Sequence, residues 1–454
     1  MGKLKKFWYA VVLVAFVGGL GLWLYGDKTV ESQHIDTSLM SDEVLRASLM
    51  PEGDYVVYFL WGTMPNIYAG MHMQLHDKPS ILWAVRPENF NFDYLPAHVI
   101  WIDDPHISDI PHAKSKDFIP VLKANHGAFE QAIDRILAEN PDAVFHVYMA
   151  DYVAYWAMNY YFISKGVSTE RLHVDFISEG SFTLNEYFNK YVWVYPGDSK
   201  IKDMLKWIQR KFLLKATFQD DKRKAQAAMK QAQKDITKVT NHGPHYLFAT
   251  TLLYDNARHW LFHDAEIFPI PYVANQQHFF PLPMFRFYNL LDMEEQKQFE
   301  QLMNFNKAEF DSVLYPEGET KKPLIIIGSW DSRNPDKENK RISADFEQEM
   351  RELVEIFGAD HRIFFKGHPA LPYGNEAEEA LMQELNFEQL PNVNFPFELL
   401  VMSYPDLVVG GYQSSVFISV PPAQLQFILG ELWMHPMKYF YEHNYWSNAI
   451  HINP

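Results

Sequence analysis

The chain contains no cysteine among its 454 residues. This absence excludes disulfide bonds, thiolate metal sites and a cysteine nucleophile, and it leaves the redox state of the compartment open. Basic residues are also few, with 40 Lys and Arg against 57 Asp and Glu and a net charge of −17. A general nucleic-acid-binding surface needs an excess of positive charge, so that class of function is excluded.

The sequence also lacks the common cofactor motifs. There is no zinc-ligand spacing, P-loop or Gly-x-Gly-x-x-Gly in a convincing context, so no metal site and no cofactor is predicted. Asp103 and Asp104 lack the spacing of a metal-binding Asp-x-Asp and are predicted to lie in a loop. The chain is instead rich in apolar residues, with 48% hydrophobic and 16% aromatic residues. This content and the length predict a well-packed protein of two or three domains.

The N-terminus carries a stretch of 19 uncharged residues, 7–25, preceded by three lysines. Nineteen apolar residues can just cross a bilayer core of about 30 Å. The lysines favour a single-pass anchor with a cytoplasmic tip, residues 1–25, followed by a polar stalk, residues 26–50. A cleaved signal peptide is the alternative, but the run is long and no small-x-small cleavage site follows it.

Residues 51–255 alternate between apolar β runs and helical patterns, which predicts a parallel, doubly wound sheet. The predicted strands are 54–60, 81–85, 98–102, 143–149 and 172–177. The pattern is interrupted by a basic segment, 200–240, in which residues 200–238 hold twelve Lys or Arg against four Asp or Glu. This segment is predicted to be a solvated helical hairpin, or a basic amphipathic helix over 200–215 that rests on anionic lipid.

A second α/β domain is predicted over residues 256–425, with a C-terminal segment over 426–454. Its strands 324–327, 362–365 and 407–409 each run into residues that suit a ligand. These are Gly328 to Trp330, Lys366 to Pro369, and Gly410 to Ser415. Because ligands bind outside the carboxyl ends of strands in open α/β sheets, the three strand ends together predict a binding site.

The residue types at these strand ends favour a phosphate. Gly410 and Gly411 are predicted to let the backbone approach a ligand, while Ser414 and Ser415 open a helix whose free N–H groups attract an anion. Lys366 adds positive charge. His368 is suited to donating a proton or hydrogen bonds to a departing phosphate.

A carboxylate of the first domain completes the candidate chemistry. Glu179 follows the predicted strand 172–177 in a Ser-Glu-Gly-Ser segment, 178–181, and at a strand end facing the second domain it is suited to deprotonating a hydroxyl. A surface turn is the alternative reading of the same residues.

The Lys-Gly-His-Pro motif, the Gly-Gly-x-x-Ser-Ser motif about forty residues later and the earlier acidic-Gly-Ser motif together resemble glycosyltransferase family 80. These are bacterial sialyltransferases of the Pasteurella and Photobacterium type. The resemblance is strongest from Leu324 to Leu429. It implies two Rossmann-like domains facing a deep cleft (the GT-B arrangement), a C-terminal segment that returns to the first domain, and metal-independent transfer from CMP-sialic acid to a glycan.

The resemblance also implies residue roles. On the nucleotide side, His368 would assist the departing phosphate and Glu398 would bind the ribose hydroxyls. The other residues implied to contact the donor are Gly328, Lys366, Pro369, Phe397, Ser414 and Ser415. On the acceptor side, Glu179 would be the base that leads to inversion, and Asp151 and Trp330 would contact the acceptor.

The chain departs from the family on the acceptor side. Ser178 and Glu179 stand where the family has two aspartates, and Asp151 stands where it has a histidine that touches galactose. We therefore expect transfer of a CMP-sugar to an acceptor other than simple lactose. A CMP-linked 3-deoxy-octulosonate (CMP-Kdo) donor, another nucleotide sugar, and a non-catalytic membrane-anchored binding protein are the alternatives. The predicted anchor, together with the bacterial origin of the family, indicates a bacterial inner-membrane protein, and the side of the membrane that carries the catalytic domain stays open.

Overall fold

The computed structural model describes twelve stretches of the chain, and everything below refers to them. They are residues 37–104, 127–151, 154–178, 183–184, 201–239, 247–261, 279–328, 344–367, 376–391, 395–414, 416–432 and 435–453.

Seven parallel strands form the first sheet, in the order β3-β2-β1-β4-β5-β6-β7. The strands are β1 (Tyr55–Leu60), β2 (Ser80–Ala84), β3 (Val99–Trp101), β4 (Phe145–Ala150), β5 (Leu172–Ile177), β6 (Ala257–Leu261) and β7 (Phe279–Pro281). Alternate residues of β1 pack into two different hydrophobic cores, with Val56 and Tyr58 in one and Val57 and Phe59 in the other. Both faces of the sheet are therefore covered, as parallel sheets require.

The first sheet is covered by eight helices. They are α1 (Asp42–Leu49), α2 (Thr63–His72), α3 (Gly127–Glu139), α4 (Ala154–Tyr161), α5 (Ile201–Lys234), α6 (Leu247–Thr251), α7 (Met284–Leu290) and α8 (Met293–Leu302). Short 3-10 turns lie at Thr37–Leu39, Pro87–Asn89, Phe92–Tyr94, Ile163–Lys165, Thr169–Arg171 and Ile236–Lys238. Asp104 lies in a loop, as predicted, and its carboxylate accepts the Ala128 and Phe129 amides at the start of α3.

The second sheet has six parallel strands in the order β10-β9-β8-β11-β12-β13. They are β8 (Lys322–Ile327), β9 (His361–Lys366), β10 (Glu388–Gln389), β11 (Val408–Tyr412), β12 (Leu425–Leu429) and β13 (Ile450–Ile452). Its helices are α9 (Lys307–Leu314), α10 (Ala344–Phe357), α11 (Glu376–Glu384), α12 (Phe397–Ser403), α13 (Val416–Ser419) and α14 (His435–Glu442). In α10 the buried stripe of Phe346, Met350, Leu353 and Phe357 follows the helical repeat and ends before Gly358.

Three of the predicted boundaries differ from the structure. The first sheet continues beyond residue 255 because β6 pairs with β5 and β7 pairs with β6. The segment 37–50, predicted as stalk, packs into the first domain, where Leu45 and Leu49 of α1 are fully buried. The C-terminal segment adds β12 and β13 to the second sheet.

The basic segment contains one continuous 34-residue helix, α5, so the hairpin prediction is wrong. Its second half packs on the first domain, since Phe218, Ala225 and Ala232 are buried in the two cores. The structure does not describe the side chains of residues 201–216. Within the described stretches, no helix combines the length and apolarity needed to cross a bilayer, and the predicted anchor, residues 7–25, lies outside those stretches.

Candidate active site

The carboxyl ends of β8, β9 and β11 lie side by side in the middle of the second sheet. Ile327 of β8 pairs with Lys366 of β9 on one side and with Gly411 of β11 on the other. The Gly328 amide donates to the Lys366 carbonyl at 2.8 Å. A side chain at position 328 would begin 3.0 Å from the Cα atom of Gly367, so glycine lets the two strand ends approach. The structure thus brings together the strand ends that the sequence analysis selected.

Lys366 carries a buried positive charge at the end of β9. Only 5% of the residue is exposed, and burial lowers the pKa of its ammonium group while nearby Glu398 opposes that shift. Its Nζ atom lies 5.9 Å from the ring centroids of Phe395 and Phe397, which is at the limit of a cation–π contact. Removing a charge from water costs free energy unless an anion faces it, so Lys366 favours an anionic ligand beside Glu398.

Glu398 lies in the first turn of α12, directly after Phe397, and is 8% exposed. Burial raises the pKa of its carboxyl group, while its own backbone N–H, Lys366 and Arg86 lower it. The free N–H groups at the start of a helix also favour a carboxylate there. The side chain therefore offers a buried acceptor beside the buried ammonium group, which suits the hydroxyl groups of a sugar.

Arg86 brings the first domain to this site, and the sequence analysis missed it. It follows β2 in the left-handed backbone conformation (φ 64°), which non-glycine residues rarely adopt. Its Nη1 atom donates to the Thr63 hydroxyl at 2.7 Å, at the carboxyl end of β1. The charge of Arg86 is among the causes that lower the pKa of the Glu398 carboxyl group in the second domain. An exposed arginine has no distinctive spacing in sequence, so no pattern could have selected it.

The glycine pair is explained by the sheet rather than by a ligand. Gly410 and Gly411 lie within β11, not after it as predicted. A Cβ atom on Gly410 would lie 2.3 Å from the Phe427 carbonyl oxygen, and one on Gly411 would lie 2.3 Å from the Ile327 carbonyl oxygen. Gly411 also has φ 135°. Both glycines therefore allow β11 to fit between β8 and β12.

Ser414 caps the short helix that follows β11. Its hydroxyl accepts the Val416 amide at 3.3 Å, and its carbonyl accepts the Phe417 amide at 3.2 Å. The hydroxyl proton is still available to a ligand, because the cap uses only the oxygen as acceptor.

Asp151 is one of the residues predicted to contact the acceptor. It follows β4 and is fully buried, and its oxygens accept bonds from Thr183 and His259 of the same domain. Both oxygens of its carboxylate thus have partners within the protein, and contact with the acceptor stays a prediction. Five other predicted residues lie outside the described stretches: Glu179, Trp330, His368, Pro369 and Ser415.

The fold is shared with several solved sialyltransferases. An α/β-galactoside α-2,3-sialyltransferase from the luminous marine bacterium Photobacterium phosphoreum superposes with a TM-score of 0.59 at 15% identity, over 88% of this chain and 98% of that one. The 2,6-sialyltransferase of Photobacterium sp. JT-ISH-224, solved with CMP and lactose, gives 0.56 at 13% identity, over 87% and 78%.

A third structure, the GT-B domain of a Photobacterium damselae sialyltransferase, gives a TM-score of 0.57 at 14% identity, over 87% of this chain and 99% of that one. Neither a scan of protein-family models nor a search of curated sequences finds a match. The chain thus has the GT-B fold of these proteins, and the resemblance first seen in its motifs is confirmed at the level of architecture.

Proposed function

We propose that the chain is an inverting, metal-independent glycosyltransferase that moves sialic acid from CMP-sialic acid to a hydroxyl group of a glycan. The observation that carries this proposal is the buried pair of Lys366 and Glu398 at the carboxyl ends of the second sheet. A cation beside a carboxylate, both largely out of water, suits a ligand with a phosphate and neighbouring hydroxyl groups, such as a nucleotide. The related structure that holds CMP and lactose supports a nucleotide donor and a glycan acceptor for this fold.

In the proposed reaction, an acceptor hydroxyl attacks the anomeric carbon of the donor from the face opposite the phosphate. The bond from that carbon to the phosphate oxygen breaks, and the electron pair leaves with CMP. Lys366 stabilises the charge that develops on the phosphate, since preorganised charge is usually the largest catalytic contribution. His368 donates a proton or hydrogen bond to the departing phosphate, and Glu179 removes the proton of the attacking hydroxyl.

The remaining residues bind and orient the substrates. Ser414 and Ser415 hold the phosphate through their hydroxyl groups, and Glu398 accepts hydrogen bonds from the ribose. Gly328, Pro369 and Phe397 line the nucleotide, and Trp330 packs against the acceptor. The nucleotide side follows the family pattern more closely than the acceptor side, so we propose an acceptor other than simple lactose.

Nucleotide selectivity tests the donor. We expect CMP to raise the melting temperature of the protein, and UDP and GDP at the same concentration to leave it unchanged, because ligand binding to the folded state stabilises it. Stabilisation by UDP or GDP instead would point to another nucleotide sugar. Hydrolysis of CMP-sialic acid but not of CMP-Kdo by the purified protein then separates the two CMP-sugars. A protein that binds CMP but turns over no donor would be a binding homologue.

Two substitutions test the assignment of the chemistry. We expect His368→Ala and Glu179→Ala each to lower kcat at least ~10²-fold, because a positioned acid or base contributes typically ~10²–10⁴-fold. CMP should still raise the melting temperature of Glu179→Ala, since that residue belongs to the acceptor side. Turnover like that of the wild type in either variant would refute the role given to that residue.

Membrane attachment is part of the same proposal. We propose that residues 7–25 anchor the protein in the bacterial inner membrane and that the basic start of α5, residues 201–215, contacts anionic lipid. Bacterial CMP-sugars are cytoplasmic, whereas the lysines before residue 7 favour an outward catalytic domain. A reporter fused after Pro454 determines which side of the membrane carries that domain.

A further inference from the structure

Asp151 is the centre of a buried polar cluster at the carboxyl end of the first sheet. The Thr183 hydroxyl lies 2.9 Å and 2.7 Å from its two carboxylate oxygens, and His259 Nε2 lies 2.9 Å from one of them. All three residues are at most 1% exposed. A carboxylate oxygen accepts hydrogen bonds, so Nε2 of His259 carries the proton in this contact. We call Asp151, Thr183 and His259 the carboxylate anchor.

The carboxylate anchor connects three neighbouring strands. Asp151 directly follows β4, Thr183 follows β5, and His259 is a residue of β6. The chain that leaves β5 is also held at its start, where the buried Ser178 amide donates to the Trp260 carbonyl at 3.0 Å. The connection that carries Glu179 therefore leaves from one fixed residue, Ser178, and returns to another, Thr183, five positions later.

We propose that Asp151 is a positioning residue, which fixes the connection that carries Glu179 and does not itself touch the acceptor. This inference rests on the proposed function, in which Glu179 is the base. An aspartate suits the task because its two oxygens can accept from Thr183 and His259 together. A buried hydrogen bond to a charged group is worth more than one between neutral groups, so the anchor holds Thr183 strongly. A base that shifts by about 1 Å can lose ~10²-fold in rate.

Removal of one hydroxyl group tests the anchor. Thr183→Val keeps the shape of the side chain and deletes the donor to Asp151. We expect hydrogen exchange of the amides between residues 178 and 184 to become at least about tenfold faster. We also expect kcat to fall about 10- to 100-fold. The KM for CMP-sialic acid and the stabilisation by CMP should change less than about twofold, because the nucleotide side lies in the other domain.

Three further variants separate positioning from general damage. Thr183→Ser keeps the hydroxyl group and should restore kcat to within about threefold of the wild type. Asp151→Asn retains only one acceptor oxygen for two donors and should reproduce the defect of Thr183→Val, even if one of the two variants folds poorly. Ser80→Ala removes a buried hydroxyl that bonds the Lys78 carbonyl at 2.7 Å at the amino end of β2. Its kcat and its exchange between 178 and 184 should match the wild type.

The outcomes distinguish the two proposals. Unchanged exchange in Thr183→Val and Asp151→Asn would overturn the carboxylate anchor. Faster exchange with unchanged kcat would overturn its role in positioning, as would a defect confined to the KM of the glycan, which would return Asp151 to acceptor binding. If the wild type turns over no donor, the proposed function fails and a positioned base fails with it. In that case, hydrogen exchange of the amides between residues 178 and 184 still shows whether the carboxylate anchor holds the connection after β5.

Discussion

Replacing Arg258 with methionine should lower the free energy of unfolding by about 3–5 kcal/mol, because the change leaves a buried carboxylate without its cation. Arg258 donates from Nε and Nη2 to the two oxygens of Asp175, each at 2.7 Å. Asp175 is fully buried, and its carboxylate also accepts from Trp260 Nε1 at 2.9 Å and contacts His146 Nε2 at 3.4 Å. Burial would raise the pKa of the Asp175 carboxyl group, but Arg258 and His146 hold that pKa below its usual range.

Urea denaturation of the wild type and three variants measures this effect. Arg46→Met is the matched control, because Arg46 pairs with Glu295 in the same two-pronged way but is 35% exposed. We expect it to cost about 1 kcal/mol or less. Adding Asp175→Asn to Arg258→Met should recover more than half of the loss, since a neutral amide needs no cation. A double variant no more stable than the single one would show that the unpaired charge is not the cause.

The same arginine also holds the N-terminal helix of the described chain. Arg258 Nη1 donates to the Ser48 carbonyl near the end of α1, and His72 contacts the Leu49 carbonyl at 2.7 Å. Arg258 and His259 are consecutive on β6, so their side chains project to opposite faces of the sheet. Each meets a buried aspartate, Asp175 on one face and Asp151 on the other. The strand thereby supports both faces of the sheet below the candidate acceptor side.

The alternation of apolar runs and helical patterns was sufficient to predict a parallel sheet in each domain, although not every strand of it. The run predicted over 172–177 coincides with β5, and β1, β2, β3, β8 and β9 lie within one or two residues of their predictions. Apart from the edge strand β3, where Ile100 is 63% exposed, these strands are largely buried on both faces, so their sequences are continuous apolar runs with clear ends. The strands that no pattern predicted are β6 and β7 of the first sheet and β10, β12 and β13 of the second. In β6 the apolar run is broken by Arg258 and His259, which bond to Asp175 and Asp151 only in the folded protein.

The sequence predicted the site residues that lie at the ends of strands. It did not predict the residues whose role depends on contacts that are distant in sequence. Lys366 is the last residue of β9 and Gly328 directly follows β8, so both lie at the carboxyl ends of strands, where the rule about strand ends predicted a ligand site. Gly411 was assigned to a ligand because a glycine needed for strand packing looks the same in sequence as one needed for a close ligand contact. The role of Asp151 in acceptor binding was inferred from the family resemblance. Its burial and its hydrogen bonds to Thr183 and His259 depend on the folded structure and could not be read from the sequence.

Lowering the pH from 7 to 5 should destabilise the first domain by several kcal/mol. Burial lowers the pKa of His72 and of His146, and burial together with His98 and His146 lowers that of His76 from 6.5 to about 3. His72 and His76 are therefore neutral in the folded protein, whereas they are protonated in the unfolded chain below pH 6.5. The unfolded state then binds more protons, so stability falls with pH, by about 1.4 kcal/mol per pH unit for each such histidine.

The hydrogen-bond directions around Tyr58 explain why the neutral forms are required. The Lys78 amide donates to His76 Nδ1, so His76 Nε2 carries its proton and donates to the Tyr58 oxygen at 2.8 Å. Tyr58 then donates to His72 Nδ1 at 2.6 Å, and His72 Nε2 donates to the Leu49 carbonyl at 2.7 Å. A second proton on either ring would set two donors against each other, with no acceptor between them.

The overall charge of the protein predicts that stability rises on acidification, which is opposite to the effect of the buried histidines. The sign of the change in stability therefore distinguishes the two effects. The sequence pI is about 5.5 and the net charge at pH 7 is −17, so acidification toward pH 5 relieves self-repulsion and would by itself favour the compact state. Urea denaturation at pH 7, 6 and 5 distinguishes the two effects by sign. His76→Gln, which cannot take up a proton, should reduce the pH dependence by up to about 1.4 kcal/mol per pH unit. Stability that rises on acidification, or a slope unchanged in this variant, would contradict the role given to the buried histidines.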